Sequence, residues 1–345
     1  MSIDFYELNK AAVINLNRPK YLNTLSYEMI YKIDEILSDV LSNKNIKMVI
    51  FTGEGDKAFC AGGDVKSFYE EKFTDDNFLR KKFFYDEYKL NFKISTFEKP
   101  IISLVHGICM GGGVGLAMHG NIVVASENVT FDMPETAIGL FPDVGAGKIL
   151  SNLDGNIGLY LALTGKRVKS SDLIFLKLAH YCIQKENFDK IITEISALNN
   201  QKDILKLLDC MSTQMDPVLF PGIIRDINEC FQFNSIEEII NSLKNKNNEW
   251  AIETLSFMKK MSPTSLKITL KQLRLAKNMT LSEDLIMEYR MTQGCMRGHD
   301  FYEGVRSVLV DKDHNPIWDP VSIDDVNEEM VNDHFKSLGK EDLNF

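Results

Sequence analysis

The chain has no apolar run approaching the roughly 18 residues needed to cross a bilayer. It also lacks any C-x-x-C pair. Its six cysteines, Cys60, Cys109, Cys182, Cys210, Cys230 and Cys295, are scattered singly. That spacing points away from a zinc site and suits thiols used as small apolar residues in a reducing compartment. Positive charge is scarce: 39 Lys and Arg face 49 Asp and Glu, a formal net charge of −10. Such a balance argues against nucleic acid as a main partner. The opening MSIDFYELNK holds two acids and no arginine. It has neither the apolar core of a secretory signal nor the basic amphipathic character of a mitochondrial presequence. Either the protein works where it is made, or a presequence is missing from this chain. The closing Leu343-Asn344-Phe345 is not a peroxisomal address of the Ser-Lys-Leu type.

What remains is an ordinary soluble composition, 44% hydrophobic and 26% charged over 345 residues, enough for one large domain or two modest ones. Residues 11–16, AAVINL, read as a strand ending at Asn17-Arg18-Pro19. Met29, Ile30, Ile33, Ile36, Leu37, Val40 and Leu41 then recur at helical spacing. A strand over 46–52 leads into GEGDKAFCAGGD, and an aromatic, charged helix follows from about Asp75 to Phe97. Next come a strand over 101–105, a glycine-rich turn, a helix near 112–119 and a strand over 121–125. This strand–helix–strand rhythm predicts an α/β fold. Beyond about Ala146 strands become scarce and the chain reads as helical. Ser262-Pro263 is a good helix start, since serine caps and proline suits the first turn. The polar, asparagine-rich stretch 241–250, NSLKNKNNEW, reads as a loop between helices.

The chemistry concentrates between His106 and Gly145. Gly111, Gly112 and Gly113 follow an apolar run from Pro100 to His106. Glycines there let the backbone approach a ligand, and the helix that starts after them points free N–H groups outward. Such amides stabilise an oxygen that is becoming negative. Ala61, Gly62 and Gly63 form a second glycine loop after a strand, with Asp64 at the start of the next helix. Glu135, in Met-Pro-Glu-Thr, and Asp143, in Phe-Pro-Asp-Val-Gly, offer groups that move a proton or attack. Asp143 after proline also suits a turn.

These stretches resemble the crotonase (enoyl-CoA hydratase/isomerase) superfamily. The resemblance rests on NRPKYLNTLS, AFCAGGD, HGICMGGGVGLAMHG, MPETAIGLFPDVGAG, MSPTSLKITL, GCMRGHDFYEGVRSVLVDKD and HFKSLGKEDLNF, and it spans about Ala12 to Phe345. It implies a spiral of β-β-α units with a helical C-terminal region. Residues 1–200 would form the core with the active site, and 201–345 a mainly helical region packing on it, within one continuous family domain. It casts the amides of Ala61 and Gly112 as the oxyanion donors and Glu135 and Asp143 as the active-site carboxylates. Glu87 falls near the substrate by the same resemblance, although the charged helix around it suits a surface ion pair equally well.

One departure bears on the reaction. Enoyl-CoA hydratases carry a glutamate two residues beyond the glycine trio, where this chain has Gly115. Together with Asp143, this fits hydrolysis better than hydration. The resemblance, strongest to the thioester hydrolases of the superfamily, implies 3-hydroxyisobutyryl-CoA as the substrate, with 3-hydroxypropionyl-CoA as a second one, in valine breakdown. Glu135 would be nucleophile or general base, with Asp143 orienting and shuttling a proton. Coenzyme A comes as part of the substrate, and no metal or redox cofactor is implied. The partner is this small molecule, with no membrane or nucleic acid, and a homo-oligomer is in keeping with the superfamily. The family role implies mitochondria, with the cytosol as the alternative. Arg18, Lys20 and Lys66 are the nearest cations for the coenzyme A phosphates. Two rivals stand: an enoyl-CoA hydratase or isomerase, and a non-catalytic structural or ribosome-associated relative. Cys60 reads as a buried structural thiol, His106 as a strand-end residue, Asp64 as a helix cap, and His299 as a tie for the C-terminal segment.

Overall fold

Strand-forming apolar runs set the architecture. In the computed structural model, which describes residues 2–74 and 77–345, the strands are Ile3–Leu8 (β1), Ala11–Leu16 (β2), Met48–Gly53 (β3), Ala58–Cys60 (β4), Ile101–Val105 (β5), Ile108–Met110 (β6), Ile122–Ala125 (β7), Thr130–Asp132 (β8), Val168–Lys169 (β9) and Tyr181–Cys182 (β10). One sheet has the order β1-β2-β3-β5-β7-β10 and the other β4-β6-β8-β9. The chain therefore alternates: β3, β5 and β7 each lie in the larger sheet and are each followed by a short strand of the smaller one. Helices intervene before the next turn begins. This is the expected β-β-α spiral. From β2 onward the larger sheet is parallel. Its strands are buried almost throughout, as parallel strands covered on both faces are. Val13, Ile50, Leu104 and Val124 pack in one core with Phe188, Ile191, Ile195, Ile204 and Leu208 from the helices Phe188–Ser196 and Gln201–Met211.

The helix Tyr27–Ser42 is capped by Ser26, which accepts from the Met29 amide, and it buries Met29, Ile30, Ile33, Ile36, Leu37 and Val40. Leu41, read as part of the same stripe, is exposed. The charged helix is Phe78–Ser95; Asp75, where it was expected to begin, lies with Asp76 outside the described residues. The expected loop over 241–250 is mostly helix. Ile236–Lys246 ends at Asn247 with φ of 47°, and Asn248 caps Glu249–Met258 by accepting from Ala251. Asparagine suits both a left-handed C-cap and an N-cap, so a two-residue break suffices.

Two compact units divide the chain. The first comprises residues 1–63, 89–131 and 167–220, and contains the sheets. The second comprises 64–88, 132–166 and 221–345. In it, Phe68 stacks on Phe84 and meets Phe83 and Phe301 edge-on. The expected Ser262 cap is present, accepting from Ser265 at the start of Pro263–Ala276. His299 does tie the C-terminal segment, through Nε2 and the Ile317 carbonyl at 2.9 Å. Further on, Arg290 forks onto Asp342 with two contacts of 2.8 Å. Among the described residues no helix is long and apolar enough to cross a membrane. Every cysteine except Cys210 is buried, and none forms a disulfide.

Candidate active site

In the first unit the two glycine loops face one another. A Cβ added to Gly62 would lie 3.6 Å from the Met110 carbonyl and 4.0 Å from the Gly112 amide. Gly113 is pressed on the strand beside it, where a Cβ would stand 2.3 Å from the Cys60 carbonyl oxygen. Only glycine fits such an approach. The helix Gly112–Met118 begins here, and its first N–H groups have no partner within the helix. Ala61 departs from expectation. Its amide donates to the Leu22 carbonyl at 3.0 Å, so that N–H is engaged in the fold. The neighbouring carbonyl, Gly62, accepts from Leu25 at 2.8 Å. The Gly62, Gly63 and Gly112 amides meet no acceptor among the described residues, so Gly63 is an available donor of this pair of loops beside Gly112. The Cys60 thiol is buried and directed at the Gly62 carbonyl, a structural placement.

The second unit gathers the acids. Glu87, Glu135 and Asp143 are all buried, and each is close enough to another for repulsion between their charges. Glu87 is therefore no surface ion-pair residue, despite its charged helix. Its pKa is pushed well above the usual carboxylate range, first by burial and then by Asp143. Glu135 opens the single turn Glu135–Ile138 after Pro134, and its Oε2 has no hydrogen-bond partner. Burial, then the Asp143 charge, raise its pKa well above the ordinary value. Asp143 is raised only to about 7: burial lifts it, while the Tyr88 hydroxyl and its own backbone hold it down. Tyr88 donates to Asp143 Oδ2 at 2.7 Å. Among the described residues, Asp143 is the one of the three acids that accepts a side-chain hydrogen bond supporting its negative charge.

Sequence reasoning missed Tyr88, Gln272, Asp284 and Glu288. Asp284 and Glu288 sit one turn apart in the helix Leu281–Arg297 and are fully buried. The signal was there: both acids fall on the same stripe as Met291 and Cys295, the face the helix buries. Acids on an apolar stripe need partners, and these two accept from backbone amides at residues 145–148.

Other candidates are variously placed. His106 is buried and its pKa falls to about 4, chiefly through burial and then Lys185. The helix Lys66–Glu71 has no side-chain cap; Asp64 instead offers its carbonyl to Ser67. Arg18 donates to the Thr24 carbonyl and lies over the Tyr21 ring, and Lys66 pairs with Glu70. Lys20, in contrast, lines a cleft of about 390 Å³ with Lys57, Glu54 and Asp56.

A β-β-α spiral with amide-presenting glycine loops and buried carboxylates is the architecture of a crotonase-fold enzyme, and the chain belongs to the enoyl-CoA hydratase/isomerase family, whose model matches residues 11–335. Within it, the chain is 45% identical to the 3-hydroxyisobutyryl-CoA hydrolase, mitochondrial, of Bos taurus over 342 residues, covering 97% of this chain and 88% of the bovine protein. The Mus musculus protein of the same name is 46% identical over 340 residues, with 96% and 88% covered. Among solved structures, an enoyl-CoA hydratase from Rhodobacter sphaeroides 2.4.1 superposes with a TM-score of 0.92 at 31% identity, covering 100% of both chains.

Proposed function

We propose that the chain hydrolyses the thioester of 3-hydroxyisobutyryl-CoA to 3-hydroxyisobutyrate and coenzyme A. 3-Hydroxypropionyl-CoA, which lacks one methyl group, is a second substrate, since a methylene-sized difference in an apolar pocket supports only about 1–3 kcal/mol of discrimination. The observation that carries this reading is the buried Glu135–Asp143 pair in a chain whose helix Gly112–Met118 holds no carboxylate. The names of the bovine and mouse relatives support the substrate, and the mitochondrial location in those names supports the compartment.

The proton order follows from the environments. Asp143, supported by Tyr88, holds the charge, and Glu135 holds a proton. Asp143 takes that proton, and Glu135 attacks the thioester carbon. The tetrahedral intermediate expels the thiolate, which recovers the proton from Asp143 and leaves as coenzyme A. Water then opens the mixed anhydride at the Glu135 carboxyl carbon, giving its proton to Asp143 and its hydroxyl to Glu135, while the bridging oxygen leaves with the acyl group as the free carboxylate. In the alternative route Glu135 activates water instead of attacking. A single turnover in heavy-oxygen water separates them, because only the anhydride route labels Glu135. The amides of Gly63 and Gly112 receive the developing oxyanion, each worth about 2.7–4 kcal/mol. Lys20 is the cation assigned to the coenzyme A phosphates. The proposed reaction calls on no separate cofactor.

The test is thiol release from 3-hydroxyisobutyryl-CoA beside hydration of crotonyl-CoA, for the wild type and Glu135→Gln. Thiol release lost in the variant, with negligible hydration, supports the hydrolase. Hydration without thiol release returns the chain to the hydratases. A folded protein with neither activity points to a non-catalytic relative.

A further inference from the structure

The turn that presents Asp143 is strained. Val144, a β-branched residue, has φ of 56°, and Gly145 follows at 80°, so two successive residues are left-handed. A valine adopts that backbone only where its surroundings impose it. Here the surroundings are polar and buried. The Gly145 amide donates to Glu288 Oε2 at 2.7 Å and the Gly147 amide to Oε1 at 3.0 Å. Gln272 Nε2 donates to the Pro142 carbonyl at 2.7 Å and to Glu288 Oε1 at 3.1 Å. Asp284 takes the Lys148 amide at 2.7 Å. Asp143 is thus bracketed, by Gln272 one residue before it and by Glu288 two residues after.

We propose that Glu288 and Gln272 are positioning residues for Asp143, clamping its turn so that the carboxylate is presented to the reaction. This rests on the role given to Asp143 above. Filling a core does not explain these side chains. Apolar residues of the same volume would fill it at lower cost than a buried carboxylate and a buried amide. What apolar residues cannot do is accept two amides and donate to a carbonyl on one strained turn. Glu288 does the first, Gln272 the second, and the bond between the two joins both ends of the clamp.

The test is a double-mutant cycle on thiol release with wild type, Asp143→Asn, Glu288→Gln and the double variant, with melting as the check on folding. Glu288→Gln keeps the volume but gives up one of the two acceptor oxygens. In the wild-type background it should lower kcat about a hundredfold with KM changed less than about threefold, as displacing a reacting group by an ångström does. In the Asp143→Asn background it should cost less than about threefold, because the group it positions is already disabled. An equal loss in both backgrounds would show a general structural role and overturn the proposal, as would unchanged kcat in the single variant. Full activity in Asp143→Asn alone would instead overturn the role of Asp143, and the clamp with it. If Glu288→Gln fails to fold, Gln272→Met carries the same cycle, with an expected kcat loss of about tenfold that again vanishes beside Asp143→Asn. Additivity there would equally reject the clamp.

Discussion

The Tyr88 hydroxyl donates to Asp143 Oδ2 across 2.7 Å, with both side chains buried. Burial and the Asp143 charge push the Tyr88 pKa well up, so the phenol stays protonated and remains a donor. Its hydrogen bond is the larger of two influences, the other being the Asp143 backbone, that lower the Asp143 pKa against the pull of burial. Tyr88→Phe should therefore move Asp143 upward from about 7. The acidic limb of kcat against pH should shift to higher pH, with activity depressed near neutrality and recovered in alkali. Stability should fall by about 1–3 kcal/mol, the cost of leaving a buried acceptor unsatisfied. Rates and melting of the two proteins across pH test both effects.

The same acid gives a stability prediction. A free aspartate titrates near 3.9, whereas Asp143 titrates at about 7 in the folded chain, so the folded state binds the extra proton between those values. The stabilisation linked to that proton is complete below the unfolded pKa and is lost as pH rises through about 7. Asp284 is shifted the same way, also to about 7. Asp143→Asn removes one titration, and its melting temperature should fall less between pH 5 and 8 than that of the wild type, by about 2 °C or more. Parallel pH curves for the two proteins would contradict this.

The amide assignment can be tested at the glycine loops. Gly63→Pro removes the N–H offered to the oxyanion and should lower kcat by about 10²–10³. Gly113→Ala places a methyl against the Cys60 carbonyl and should act through the fold, lowering both melting temperature and activity. Ala61→Pro should break the bond to Leu22 and show itself mainly in stability.

The fork of Arg290 on Asp342 is only partly buried, and it holds the Asp342 pKa below its usual value. Arg290→Ala should cost about 1 kcal/mol or less. Thiol release should be unchanged, while limited proteolysis should cut the segment after Asn332 faster. A large loss of kcat would mean that this segment serves the reaction.

Much of this was legible in the sequence, and the failures have physical reasons. AAVINL and IISLV were read to the residue because strands buried on both faces are almost wholly apolar, with only Asn15 and Ser103 breaking the two runs. β1 was missed because an edge strand with mostly exposed residues carries no such signal. The glycine loops were located correctly, yet the sequence could not tell which amide was already spent. That depended on the Leu22 carbonyl, which only the fold brings to Ala61. Glu135 and Asp143 came from motif. Glu87 stayed ambiguous because charged neighbours on its helix hid that its own face turns inward. Tyr88 and Glu288 could be placed on helix faces from spacing alone, but not against Asp143 or Gly145, since spacing does not say what a face meets.

The lone exposed cysteine has a practical bearing. With the other five thiols buried, a reagent that reads released coenzyme A should find a single competing protein sulfur, Cys210, on the helix Gln201–Met211. Cys210→Ser would give a chain silent to that reagent. The native chain, conversely, offers one address for a fluorophore or spin label, in the first unit and apart in sequence from every residue assigned to the chemistry.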